Sequence, residues 1–107
     1  MMCEICMSRN DDDLKQLKEL WCCYNICVVP NIRLIKYLNC FHCFNLIGIR
    51  NIKGLKELEC SYCTVLIKIP NIKGLKKLTC SYCNNLTVIP NIKGLEILDC
   101  SFNLKIT

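Results

Sequence analysis

Apolar residues recur along this chain at short intervals, and the interval changes within each stretch. Leu78 and Cys80 stand two residues apart, which suits a short strand whose side chains alternate between two faces. The next apolar residues come every third position as far as Ile89, and Pro90 and Gly94 then close the stretch. Spacing by threes with these turn residues leaves no room for a full helix, so each stretch predicts one short strand and a bent return.

The same stretch returns with a period of 20 residues, since Cys-Ser-Tyr-Cys begins at 60 and at 80 and Pro-Asn-Ile-Lys-Gly-Leu begins at 70 and at 90. About five units can be aligned, of which the first is two residues shorter and the last is cut short. A single unit cannot bury its apolar side, so the units are expected to stack, strand beside strand at about 4.8 Å, into a parallel coil. The predicted strands are Leu20 to Cys22, Leu38 to Cys40, Leu58 to Cys60, Leu78 to Cys80 and Leu98 to Cys100.

The repeat resembles the leucine-rich repeats, with Leu55 at position one, Leu58 at four, Cys60 at six and Cys63 at nine. Its length and its Ile-Pro step look like the short bacterial-type class, and its richness in Cys, Asn, Ile and Lys is similar to repeat proteins of giant amoeba-infecting DNA viruses. The resemblance implies an α/β-type solenoid, a right-handed coil with a short parallel β-sheet and irregular or 3-10 returns, over residues 14–107. The departures are Cys in place of Leu at position six, Arg50 in place of Pro, and the shortened first repeat.

The two ends of the coil need covering. Residues 1–13 form an N-terminal segment in which Asn10 and Asp11 to Asp13 can cap a short helix that runs through Leu14 and Leu17 and covers the first coil with apolar residues. At the other end the core residues between Leu98 and Ile106 have nothing stacked over them, which predicts weak self-association through this coil or a fragment of a longer array.

The amino-acid composition indicates that the chain is a folded domain and not a disordered or membrane-spanning segment. A hydrophobic share of 52% in 107 residues predicts one folded domain, and no apolar run is long enough to cross a bilayer. The N-terminus lacks the pattern of a secretion signal, which predicts an intracellular, cytoplasmic protein with reduced thiols. The net charge of +5 permits an acidic partner without requiring one.

The twelve cysteines fall mostly into two columns. Cys22, Cys40, Cys60, Cys80 and Cys100 hold position six, where a buried, packed thiol is expected. Position nine holds Cys43, Cys63 and Cys83, with Asn25 and Asn103 in the end repeats, and this exchange of Cys for Asn favours a hydrogen bond to the turning backbone. The alternative is a zinc site made by Cys60, Cys63, Cys80 and Cys83 on adjacent coils. Cys3 and Cys6 lie outside the repeat and stay unassigned.

If position six points inward, positions three, five, seven and eight face outward, and position eight then forms one ring per coil: Tyr24, His42, Tyr62, Tyr82 and Phe102. Aromatic side chains are enriched at the energetic centres of interfaces, although stacked rings also shield a sheet. The predicted partner-binding residues on this concave sheet face are Trp21, Tyr24, Tyr37, Phe41, His42, Glu57, Glu59, Tyr62, Lys77, Tyr82, Asp99 and Phe102.

These features predict a non-catalytic scaffold that binds a protein and needs no cofactor. The single histidine, His42, has no nucleophile or carboxylate fixed beside it by the repeat, and no phosphate-binding loop or metalloprotease motif is present. A basic stripe of Lys53, Lys73 and Lys93 near Arg33 has no interleaved aromatic residue, which disfavours nucleic-acid binding. The alternatives are the substrate-recognition part of a ubiquitin-ligase-type adaptor and a cysteine-based zinc-binding structural protein.

Overall fold

A computed structural model describes residues 17–103, which form a parallel β-solenoid of about four turns. The main sheet has five strands in chain order. They are β1 (Glu19–Trp21), β3 (Tyr37–Asn39), β5 (Glu57–Glu59), β6 (Lys77–Thr79) and β7 (Ile97–Asp99). The stacking of strand upon strand is therefore confirmed, with each strand beginning and ending one residue earlier than predicted.

A second, two-stranded sheet lies on the return side of the first two coils. It pairs β2 (Val28–Val29) with β4 (Gly48–Ile49) in parallel. The sequence analysis did not predict it, because two-residue strands are too short to show an alternating pattern.

The core is lined by one column of side chains for each inward position. The leucines of position four are 0 to 1% exposed in the first four coils, and Cys40, Cys60 and Cys80 behind them are fully buried. Burying one such leucine side chain contributes about 1.5–3 kcal/mol to the free energy of folding. Position six is therefore a packing position, as predicted.

Tight turns, and no helix, bring the chain back between strands in residues 17–103. In the coil that begins at Leu55, the Leu55 N–H donates to the Ile52 carbonyl at 3.3 Å, and Leu66 closes another turn by donating to Cys63 at 3.2 Å. Gly54 stands in the first of these turns with a φ of +85°, a value that favours glycine. The helical part of the α/β-type expectation is thus not found in the described residues, because closely spaced turns use up the length that a helix would need.

Three expectations lie outside residues 17–103: the helical cap at Asn10 to Asp13, the pair Cys3 and Cys6, and the contribution of Ile106 to the last coil. Within the described residues, no helix is long and apolar enough to cross a membrane.

Candidate partner-binding surface

The aromatic residue at position eight of each coil stands in a tight turn at the end of the strand. Cys43 N–H donates to the Cys40 carbonyl at 3.2 Å, which closes this turn around His42. The four residues at this position have positive φ values: His42 (62°), Tyr62 (62°), Tyr82 (58°) and Phe102 (61°). This conformation suits glycine and costs a residue with a side chain about 1–2 kcal/mol. Four residues with bulky rings therefore have a backbone conformation that glycine would adopt without strain.

Hydrogen bonds between coils hold this strained turn in place. The Tyr62 N–H donates to the Ser81 carbonyl of the next coil at 2.9 Å, and His42 and Tyr82 make the equivalent bonds at 3.0 and 3.2 Å. The backbone at position eight is thus tied to the neighbouring coil, which brings the rings of successive coils into contact.

The four rings, which we call the aromatic strip, form a continuous stack along the solenoid. Tyr62 and Tyr82 stack with centroids 4.6 Å apart and planes 10° apart, and Tyr82 and Phe102 stack at 4.6 Å and 11°. His42 meets Tyr62 edge-on, with centroids also 4.6 Å apart. These separations follow the spacing of about 4.8 Å between parallel strands. The strip is partly open to solvent, since Phe102 is 66% exposed and both tyrosines are half-buried.

More rings extend the strip at its His42 end. Phe41 stacks on His42 with centroids 4.1 Å apart and touches Tyr62 edge-on at 5.5 Å. Phe44, which the sequence analysis did not select, stacks on His42 at 5.5 Å and is half exposed. Phe41, Phe44 and the strip together make one apolar surface.

Tyr24 does not belong to the strip, and the placement of the first coil was wrong. Leu20 pairs with Leu38, an offset of 18, whereas Val28 pairs with Gly48, an offset of 20. Ile26 N–H donates to the Cys23 carbonyl as Leu46 N–H donates to Cys43 in the next coil, so the two missing residues fall between Cys22 and Cys23.

This register changes the roles of three residues in the first coil. Cys23 takes position nine, which the sequence analysis had given to Asn25, while Asn25 aligns with Asn45 and Tyr24 aligns with Phe44. The hydrogen bonds agree, because Asn45 donates to the Tyr24 carbonyl at 2.9 Å as Asn85 does to Thr64. The strip therefore starts at His42.

Residues at position five fasten the turn instead of projecting freely outward. The Glu59 carboxylate accepts the Ser61 N–H at 2.9 Å, and the Asn39 side chain accepts the Phe41 N–H at 2.9 Å. Asp99 accepts from the Ser101 N–H and hydroxyl, and the Ser101 hydroxyl is the main cause of the lowered pKa of this carboxyl. Glu59 and Asp99, both predicted as partner-binding residues, thus stabilise the turn by accepting its hydrogen bonds.

Position seven is also less open than predicted. Ser61 and Ser81 are buried between coils, where the Ser81 N–H donates to the Ser61 hydroxyl at 3.1 Å and the Ser81 hydroxyl donates to Asp99 at 2.9 Å. The assignment of position seven to the exposed face is therefore wrong for these two serines, because the close approach of the coils encloses a small side chain there.

Of the remaining predicted residues, Tyr37, Glu57 and Lys77 lie where their strands begin, whereas Trp21 is the last residue of β1. Glu57 pairs in register with Lys77 on the next strand, and both side chains are exposed. Trp21 packs against Tyr37 with centroids 6.1 Å apart and is 62% exposed. Tyr37, Glu57 and Lys77 line a small depression on this face. The structure thus divides the predicted residues into the aromatic strip and a polar patch.

The cysteines at position nine act as hydrogen-bond donors to the backbone, as the exchange of Cys for Asn predicts. The thiols of Cys63 and Cys83 each donate to a position-six carbonyl of the preceding coil at 3.0 Å. Asn103 makes the same contact from its side-chain amide, to the Cys80 carbonyl at 2.9 Å. One ladder of donors, thiol or amide, therefore connects successive coils.

Burial favours the protonated form of the Cys63 and Cys80 thiols, whereas a hydrogen bond with Cys60 is the main cause of a lowered pKa at Cys83. Burial is the main cause that raises the pKa of Cys80 to about 12, and burial also raises the pKa of Cys63 above its ordinary value. Zinc binds the thiolate, so a raised pKa opposes metal binding at these sulfurs. The cysteines of positions six and nine from Cys40 to Cys100 are free thiols, and no group of three or more His, Cys, Asp or Glu side chains in residues 17–103 is placed to hold a metal ion.

Comparison with known proteins adds no relative: no family model, no curated protein and no solved structure matches the chain. The candidate surface therefore stands on geometry alone. The position of each ring could have suggested the strain, because the third residue of a four-residue turn is usually glycine when its φ is positive. That φ is positive at these residues is seen only in the structure.

Proposed function

We propose that this chain is a non-catalytic binding module whose partner is a protein and whose main contact is the aromatic strip. The observation that supports this most is the strain of the strip: four successive rings occupy positive-φ positions that glycine would hold without strain. Glycine would remove this strain but would lose the contacts between the rings, and rings such as Phe102, which is 66% exposed, leave apolar surface available to a partner.

The stacked arrangement suits protein recognition. Fixed rings give a large apolar contact area with little loss of side-chain entropy on binding, and such residues dominate the energetics of interfaces. Glu57 and Lys77 add opposite charges on the same side of the sheet, which would orient a polar partner. We expect contact residues among the strip, Phe41 and Phe44, and weaker contributions from Trp21, Tyr37, Glu57 and Lys77.

We also infer that the coil is a leucine-rich repeat in its architecture. The buried leucines at positions one and four and the donor ladder at position nine support this. The free thiols fit a reducing compartment, and a cytoplasmic location is part of the same proposal.

The experiment is capture of the partner from native cell extract with the double variant Tyr62→Ala and Tyr82→Ala. Alanine removes both rings without relieving the positive φ, so the backbone geometry is perturbed as little as a ring deletion allows. The matched control is Ile67→Ala with Val88→Ala, because these side chains are 58% and 56% exposed and lie on the return side.

Loss of capture by the tyrosine variant, with an unchanged far-UV circular dichroism spectrum and full capture by the control, supports the proposal. A photo-crosslinking amino acid at position 102 should then label the same partner, and one at position 67 should not. If the tyrosine variant captures the partner as well as the parent chain does, the strip is structural and the proposal fails.

A further inference from the structure

Two columns of cations follow the edge of the main sheet at which its strands begin. The first column directly precedes the strands and consists of Lys18, Lys36, Lys56 and Lys76; the second lies in the preceding turns and consists of Arg33, Lys53, Lys73 and Lys93. All eight side chains are exposed. We call these two columns the basic ridge. The second column alone, without interleaved aromatic residues, disfavours nucleic-acid binding; the first column, which the structure places beside it, doubles the number of cations and changes that expectation.

The turn glycines bring the two columns together. The Lys36 amine lies 3.4 Å from the Gly54 carbonyl of the next coil, close enough for a hydrogen bond. The Lys56 amine lies 3.6 Å from the point where a Cβ on Gly74 would stand. Lys36, Lys56 and Lys76 therefore extend over the turn of the following coil, and that turn carries the cation of the second column.

Charge on this protein is concentrated at the ridge. Eight cations and one carboxylate, Glu96, give the ridge a charge of +7, whereas the whole chain carries +5, so all other residues together sum to −2. Glu96 stands at the last coil, 3.8 Å from the Lys76 amine. The rest of the ridge repeats one sign of charge from coil to coil.

We propose that the basic ridge binds the phosphate backbone of a nucleic acid without sequence preference. Its first column spans three coil steps, about 14 Å at 4.8 Å per step, which is the rise of about four nucleotides of one strand along the axis of a duplex at 3.4 Å each. A linear ligand with regularly repeated negative charge matches such a surface. Seven of the eight cations are lysines, which act as point charges on phosphate and do not make the bidentate contacts by which arginine reads bases.

The ridge is less suited to a protein partner or a membrane. Apolar or aromatic anchors supply most of the energy of protein interfaces and of membrane insertion. Leu34 is the one large apolar residue with substantial exposure in the described turns that carry the second column. The ridge also lies at the opposite end of the strands from the aromatic strip, so the two surfaces are separate and their tests are independent.

The test compares two triple variants that carry the same charge. Lys53→Gln, Lys73→Gln and Lys93→Gln remove three cations from the ridge, while Arg50→Gln, Lys68→Gln and Lys105→Gln remove three cations that are not part of the ridge. Binding of a fluorescein-labelled 20-nucleotide single-stranded RNA and of a 20-base-pair duplex is measured by anisotropy between 50 and 200 mM NaCl. Phosphatidylserine vesicles and polyglutamate are measured as competitors, and circular dichroism verifies the fold of each variant.

We expect the parent chain to bind RNA with an affinity that falls steeply with salt. The ridge variant should bind roughly tenfold or more weakly at 100 mM NaCl, and its salt slope on single strands should be shallower by about 2, or 0.7 for each lost phosphate contact. The off-ridge variant should stay within about threefold of the parent.

Equal losses in both triple variants would mean that net charge alone attracts the nucleic acid, and the ridge assignment would be wrong. Binding that is absent at 50 mM NaCl, or competition by polyglutamate or the vesicles as strong as by unlabelled RNA, would overturn the nucleic-acid assignment. Each of these outcomes leaves the partner-capture experiment on the aromatic strip unaffected.

Discussion

The strained backbone of Tyr62 leads to a prediction in which glycine is more stabilising than alanine. At an ordinary strand position, glycine lowers the free energy of unfolding by about 0.5–1 kcal/mol relative to alanine, because the unfolded chain gains conformational freedom. At a φ of 62°, alanine keeps a strain of about 1–2 kcal/mol that glycine does not have. The two effects oppose each other, and the strain is the larger.

Both Tyr62 substitutions lose the same ring. Tyr62 contacts Tyr82 at 4.6 Å, His42 at 4.6 Å and Phe41 at 5.5 Å between ring centroids. Each aromatic pair contributes about 0.5–1.5 kcal/mol beyond area burial, so either substitution should destabilise the protein by roughly 2–4 kcal/mol. Within that loss, we expect Tyr62→Gly to be more stable than Tyr62→Ala by about 0.5–1 kcal/mol.

The assay is urea unfolding followed by far-UV circular dichroism, and the reference pair is Lys77→Ala and Lys77→Gly. Lys77 is an exposed residue in the middle coils at the start of strand β6, where alanine should be the more stable choice. The sign of the Ala-to-Gly difference should therefore reverse between positions 77 and 62. If alanine is more stable than glycine at both positions, the positive φ stores no strain and the main support for the proposed function is lost.

Three further predictions concern the core and the last coil. Cys63→Val should lower the free energy of unfolding by about 1–3 kcal/mol, because the Cys40 carbonyl loses its donor at 3.0 Å; a thermal melt measures this, and an unchanged midpoint would show that the thiol bond contributes nothing. The Cys80 thiol has a pKa raised from 9.0 to about 12, so its contribution to the free energy of unfolding should be complete below pH 9 and be lost as the pH rises toward 12. The free energies of unfolding measured at pH 8 and 10.5 should therefore differ, and Cys80→Ala should reduce that difference. Leu98 is 47% exposed where Leu78 is fully buried, so sedimentation at high micromolar concentration should show weak self-association that Leu98→Lys removes, whereas a strict monomer would contradict it.

Much of the candidate surface depends on how far each turn closes, which sequence alone does not show. Glu59 and Ser61 both stand at positions that a simple alternation of faces places outside. In the structure the Glu59 carboxylate turns back to the Ser61 N–H, and Ser61 is buried by the next coil. The alternation ends with the strand at Glu59, so an expectation built on it could not extend to position seven.

The period, the strand order and the inward columns of this protein follow from the spacing of its residues. Leu58, Leu78 and Leu98 follow one another at the same interval, which requires coils of equal length. Burial of these leucines then holds the strands in register. The exchange of Cys63 for Asn103 was sufficient to predict the donor ladder, because both side chains can donate to a carbonyl.

The register of the first coil, the backbone strain of the aromatic strip and the closeness of the two basic columns are seen only in the tertiary structure. A two-residue deletion can be placed at several points in a sequence, but the pairing of Val28 with Gly48 leaves room for it only after Cys22. The sign of φ at Tyr62 and the reach of Lys36 to Gly54 arise from the stacking of one coil on the next. Contacts of this kind join residues about one repeat apart, and their geometry depends on how closely the coils approach, which a linear pattern of residues does not contain.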